Sequence, residues 1–151
     1  MVNYYDITSK IRTHFESEPL VNKITKGGLD DIANAKKEEY ALVHLIVNQC
    51  TPQDSALIYN ISVIAMDIVD ISKGTPKDSF RGLDNEDDVL NSMLVVQLRF
   101  YEKLRRGDLF SDLYQVGGGI TIEPFTDRFE DKVAGWTMTL DIIVPNGISI
   151  C

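Results

Sequence analysis

Catalysis and metal binding need side chains that converge, and this chain offers few candidates. Its histidines, His14 and His44, and its cysteines, Cys50 and Cys151, share no CxxC or Cys/His ligand spacing, so no zinc site is expected. Acidic pairs recur at Asp30-Asp31, Glu38-Glu39 and Asp87-Asp88, and Asp67 lies near Asp70. In a chain of net charge -8, such pairs mark solvated faces or helix starts. Asp67 and Asp70 stand three apart in an extended stretch, which sends them to opposite faces and prevents a carboxylate dyad. "GGG" at 117–119 leads into a strand and lacks the spacing of a phosphate-cradling loop, so it reads as a turn. Arg106-Gly107-Asp108 spells an adhesion tripeptide, but it falls where a helix should stop, and capping explains it. His14 falls close to the side of its helix opposite the apolar stripe and reads as a surface residue. His44 reads as a hydrogen-bonded strand residue. No catalytic, cofactor-binding or metal site is expected, and the chain is read as a non-enzyme.

The elements that would position any site follow from composition and periodicity. At 151 residues, 44% hydrophobic and 25% charged, the chain is expected to form one domain over residues 1–151. Such a domain buries roughly two-thirds of the surface its unfolded chain exposes. The negative charge argues against a sequence-independent grip on nucleic acid, which needs clustered Lys and Arg. The N-terminal stretch has no basic-then-apolar signal pattern, and no apolar run approaches the roughly 20 residues of a bilayer span. Cysteines outside any framework fit a reducing cytosol.

Ile7, Ile11 and Phe15 predict a short amphipathic helix, capped by Asp6, Thr8 or Ser9 and limited by Pro19. "LVNKIT" is a short apolar segment, helix or strand. "YALVHLIVNQC" and "ALIYNISVIAMDIVDI" predict a long antiparallel hairpin across the turn "TPQDS". In its second strand Leu57, Tyr59, Ile61, Val63 and Ala65 share one face, and Ile58, Asn60, Ser62, Ile64, Met66 and Ile68 the other. Two partly apolar faces suggest that one meets a helix and the other a further surface, such as another subunit.

The segment 84–108 predicts the principal helix: an Asp84 or Asn85 cap, acids at 86–88, and the stripe Val89, Met93, Val96, Phe100, Leu104. Leu90 and Leu94 widen that stripe, and Lys103, Arg105 and Arg106 suit the last turn. "ITIEPF" and "WTMTLDIIVP" predict two more strands, the last placing Trp136 beneath the long helix. Helix, strand, strand, helix, strand, strand describes an α+β fold: an antiparallel sheet with a long hairpin, packed on one side by the N-terminal and central helices. Exposed loops are expected near 27–38, 72–84 and 107–119.

This order and texture resemble the tail terminator (tail completion) proteins of tailed bacteriophages and the related head–tail connector proteins. The residues that carry the likeness are "YYDITSKIRTHFESEPLVNKI", "LIYNISVIAMDIVD", "DNEDDVLNSMLVVQLRFYEKLRRGD" and "IEPFTDRFEDKVAGWTMTLDIIVPN". The resemblance implies a structural virion protein at the tail or neck, assembled in the host cytoplasm. Its copies would form a ring, commonly of six, that stops the tail tube protein from polymerising and meets the head completion or connector protein. DNA would pass through the lumen without specific binding, and an acidic wall suits that passage. The family brings no catalytic, cofactor or metal residues.

Two segments are expected to make the subunit and neighbour contacts. They are the loop carrying Lys73, Lys77 and Arg81, and the stretch Asp127, Arg128, Phe129, Glu130 before the last strand. Two other readings stand beside this one: another neck, connector or tube subunit, and a small acidic protein-binding module.

Overall fold

A computed structural model describes residues 4–28, 39–69, 85–106, 115–126 and 133–146. Within them two helices accompany one six-stranded, mostly antiparallel sheet, an α+β arrangement. The elements are α1 (Tyr4–Glu16), β1 (Lys23–Lys26), β2 (Leu42–Pro52), β3 (Ala56–Ile68), α2 (Glu86–Arg106), β4 (Gln115–Val116), β5 (Thr121–Thr126) and β6 (Val133–Pro145). The strands run β1-β2-β3-β6-β4, with β5 also paired to β6.

The last strand lies inside the sheet. β6 pairs with β3 from Ala56↔Pro145 to Ile68↔Val133, and β5 and β4 cover its other edge. β2 runs antiparallel to β3 and turns at Gln53, whose N–H donates to the Ala56 carbonyl at 2.8 Å. β1 pairs parallel to β2, and the Asn22 and Gly27 N–H groups extend that join to Ala41 and Leu45. Between Val47 and Gln49 a bulge sets two β2 residues against Asn60. The alternation of β2 therefore changes phase there, placing Cys50 opposite Tyr59 and Thr51 opposite Ile58.

Three expectations need correction. β1 and β4 are strands beyond the four in the expected order, and β4 falls inside the stretch 107–119 read as a loop. β5 reaches β6 only from Ala134 to Thr139, so the β6 edge at Ile142 and Ile143 is open for Gln115 and Val116 to pair. Gly119, at φ 81°, lets the chain turn between the two short strands. Third, α1 begins at Tyr4, ahead of the suggested caps. Thr8 is interior, and its hydroxyl donates back to the Tyr4 carbonyl at 2.9 Å.

In α2, Val89 N–H donates to the Asn85 carbonyl at 3.0 Å, which makes Asn85 the residue that opens the helix. Val89, Met93, Val96, Phe100 and Leu104 are all buried. They share a core with Ile61 and Val63 of β3 and Met138, Leu140 and Ile142 of β6, while α1 adds Ile7, Ile11 and Phe15. Trp136 joins this core half-buried, and its indole N–H donates to the Leu90 carbonyl at 2.7 Å. Gln97, fully buried, spends its amide N–H groups on the carbonyls of Val63 (2.7 Å) and Trp136 (2.9 Å). That polar clamp ties α2 to the two central strands. Gly135 explains how β3 and β6 come so near: a Cβ there would strike the Ala65 carbonyl and sit 2.8 Å from Met66 Cα.

Candidate functional site

The sheet positions that alternate with those of the main core fall into two groups. At one end Leu42, Ile64 and Met66 form a small buried cluster with Tyr40, Ile46 and Phe125 packed on it, and no residue of either helix takes part. His44 lies beside it, fully buried. Its Nε2 faces two carbonyl oxygens, Gly28 at 3.0 Å and Gly27 at 3.3 Å, so Nε2 carries the proton. Nδ1 then accepts from the Thr25 hydroxyl at 2.7 Å. His44 thus fastens the chain after β1 to β2, a structural job.

At the other end a polar ladder crosses three strands. Asn48 Nδ2 donates to Asn60 Oδ1 and to Ser62 Oγ, both at 2.9 Å. Asn60 Nδ2 donates to Asp141 Oδ1 at 2.8 Å, and Ser62 and Thr139 share a hydroxyl contact at 3.3 Å. Because Ser62 accepts from Asn48, its own proton is available for Thr139. Asn48 is exposed and the others are half-buried, with Ile58 and Ile143 paired beside them. Beyond Lys26↔Leu45, the β2 stretch 46–52 has a strand partner only on its β3 side among the described residues. Side chains fixed by mutual hydrogen bonds, next to aliphatic side chains and an open strand edge, can bind another protein surface at little ordering cost.

Two grooves flank α1. One, about 380 Å³, lies between α1 and β1 and is lined by Tyr5, Ser9, Arg12, Thr25 and Lys26 among others. The second, about 480 Å³, runs between α1 and α2 past His14, Glu18, Val95, Leu98, Arg99 and Lys103.

His14 corrects a sequence expectation. It is 8% exposed, against the Phe15 and Phe100 rings at centroid distances of 4.8 and 5.3 Å. Seven residues are nearly two helical turns, so His14 stands within about 20° of Ile7 and shares its face. The spacing Ile7, Ile11, His14, Phe15 was the available signal. Neither ring nitrogen has a hydrogen-bond partner. Burial, then the Lys103 charge, holds its pKa below the ordinary histidine value, against an opposing pull from Glu18. The usual preference for a cation near a helix C-terminus is overridden here. Glu18, itself buried, accepts from Arg99 Nη1 at 2.6 Å.

The residues expected from the sequence to make contacts (Lys73, Lys77, Arg81 and Asp127, Arg128, Phe129, Glu130) lie outside the described residues. The ladder had a partial signal in the alternation of β3 and β6, where Asn60, Ser62, Thr139 and Asp141 fall on the polar side. Only register brings them together and adds Asn48 of β2. Among the described residues no group of three or more His, Cys, Asp or Glu could hold a metal ion, and no helix is long and apolar enough to cross a membrane. No family model matches the chain, and no curated protein matches it either.

Proposed function

We propose that this chain is a structural virion protein of tailed bacteriophages, a tail terminator. Its copies close into a ring at the head-proximal end of the tail, end the tube and join it to the head connector. The observation that carries the reading is the unequal sheet. The β2–β3 pair and β6 carry the core shared with both helices on one face and the polar ladder on the other, and among the described residues the β2 stretch 46–52 has no second strand partner. A wedge of that kind has two different flanks for contact, as a head-to-tail ring requires. The net charge of -8 suits a lumen through which DNA slides. The element order that resembles tail terminators supplies the biological setting.

Negative-stain microscopy of the purified protein, alone and with tail tubes, tests this. Closed rings of one size, or single rings capping tube ends, are expected; protein that neither self-associates nor decorates tube ends refutes it. A hairpin with an open edge also suits a tube subunit, and stacked tubes in the same micrographs would favour that alternative. Reversing charge at Arg81 or Arg128 is expected to weaken ring formation roughly tenfold, read by mass photometry. Unchanged assembly removes those residues from the interface.

A further inference from the structure

The groove between α1 and β1 differs in charge from the chain as a whole. Arg12 and Lys26 line it beside the hydroxyls of Ser9 and Tyr5, and no lining residue is an acid. In a chain of net charge -8, that makes a local positive field. Arg12, Lys26 and Ser9 are all exposed. Glu16 engages Arg12 through Nε at 2.7 Å, which leaves the two Nη groups to take a further anion. The Lys26 ammonium lies 4.8 Å from the centre of the Tyr4 ring and meets no carboxylate among the described residues. Elsewhere the cations are matched: Lys23 holds Glu39, Arg99 holds Glu18, and Arg106 holds Glu102.

The sheet sets this groove at one flank and acids at the other. β1 is one end of the strand order, and β5 lies beyond β2, β3 and β6. Four strand spacings separate them, roughly 19 Å, so the two flanks cannot meet within one copy. Glu123 of β5 is exposed and has no ion-pair partner among the described residues. Its neighbour Pro124 pairs with Trp136, whose indole holds the Leu90 carbonyl. The start of α2 is thereby fastened to β6, the strand next to β5, and its Asp87 and Asp88 are exposed too. Pro124 has no N–H to offer, which suits this edge to side-chain contact rather than to an added strand.

We propose that the Arg12–Lys26 groove of one copy takes the acidic flank of a second copy, Glu123 of β5 with Asp87 and Asp88 of α2. Different patches at opposite ends of one sheet give the head-to-tail contact that closes by rotation. The inference rests on the ring reading and names two surfaces that meet within it.

Mass photometry at matched concentration, alone and with tail tubes, tests the contact on full-length variants that thermal melts show to be folded. Arg12→Glu with Lys26→Glu should weaken self-association about tenfold or more, because like charges then face each other. Glu123→Lys with Asp87→Lys and Asp88→Lys should do the same. An equimolar mixture of the two sets should recover assembly, since each reversed surface then meets its opposite. Both sets stay net negative, so bulk attraction cannot produce that recovery. Where a set fails to fold, Lys26→Glu or Glu123→Lys alone replaces it. Wild-type rings with unchanged assembly in either set, or no recovery on mixing, overturn this contact and leave the ring reading standing. A wild type that neither self-associates nor decorates tube ends overturns both.

Discussion

The side of the sheet beneath α2 and the side bearing the Asn48–Asn60–Asp141 ladder are built from alternate residues of the same strands. Val63 faces the buried Met138, while its neighbour Ser62 faces the half-buried Thr139. Burial on the first side follows the hydrophobic effect, in which each large apolar side chain contributes about 1.5–3 kcal/mol. Order on the second comes from hydrogen bonds, whose net worth is nearer 1 kcal/mol each because water competes for the same atoms. If the proposed assembly uses the ladder, stability and recognition are kept on opposite sides of one strand. Substitutions can then damage one with little effect on the other.

The largest effect is expected at the centre of the covered side. Phe100, fully buried between His14 and Phe15, should cost about 3–5 kcal/mol as Phe100→Ala in urea denaturation. A loss below about 1 kcal/mol would mean that α1 and α2 do not share a core. Trp136→Ala comes next, at about 3 kcal/mol, since the indole is half-buried but gives up its bond to Leu90.

The pH dependence of His14 is a subtler probe of the same side. Its folded pKa lies below the unfolded value of 6.5, so the unfolded chain binds the proton first as pH falls. Stability is complete above that value and declines as pH drops from 6.5 through the lowered folded pKa. Phe15, Phe100, Lys103, Glu18 and its partner Arg99 surround the ring, and only Glu18 favours its charged form. Comparing wild type with His14→Phe between about pH 5 and 7 isolates the effect from His44 and from most carboxylates. Parallel pH profiles would show that the imidazole is not buried neutral.

The smallest stability effect belongs to the ladder. Asn60→Ala removes two side-chain hydrogen bonds at a half-exposed site and should cost no more than about 1.5 kcal/mol. The same variant should impair ring formation, which mass photometry reads at matched concentration. A large stability loss with assembly unchanged would reverse the roles of the two sides.

Residue order alone carried the helical stripe of α2, the alternation of β3 and β6 and the acidic and basic helix ends, because these depend on neighbours two to four positions away. It failed at His14, expected opposite the apolar stripe, because seven residues are nearly two helical turns and bring it onto the face of Ile7. It missed the two-residue strand β4, whose pairing depends on how far β5 reaches along β6. Tertiary structure alone decided that Gln97 bridges Val63 and Trp136, that Gly135 admits the β3 backbone, and that Asn48, Asn60 and Asp141 meet. Asn60 and Asp141 are 81 residues apart in the chain, and only strand register brings such residues within hydrogen-bonding distance.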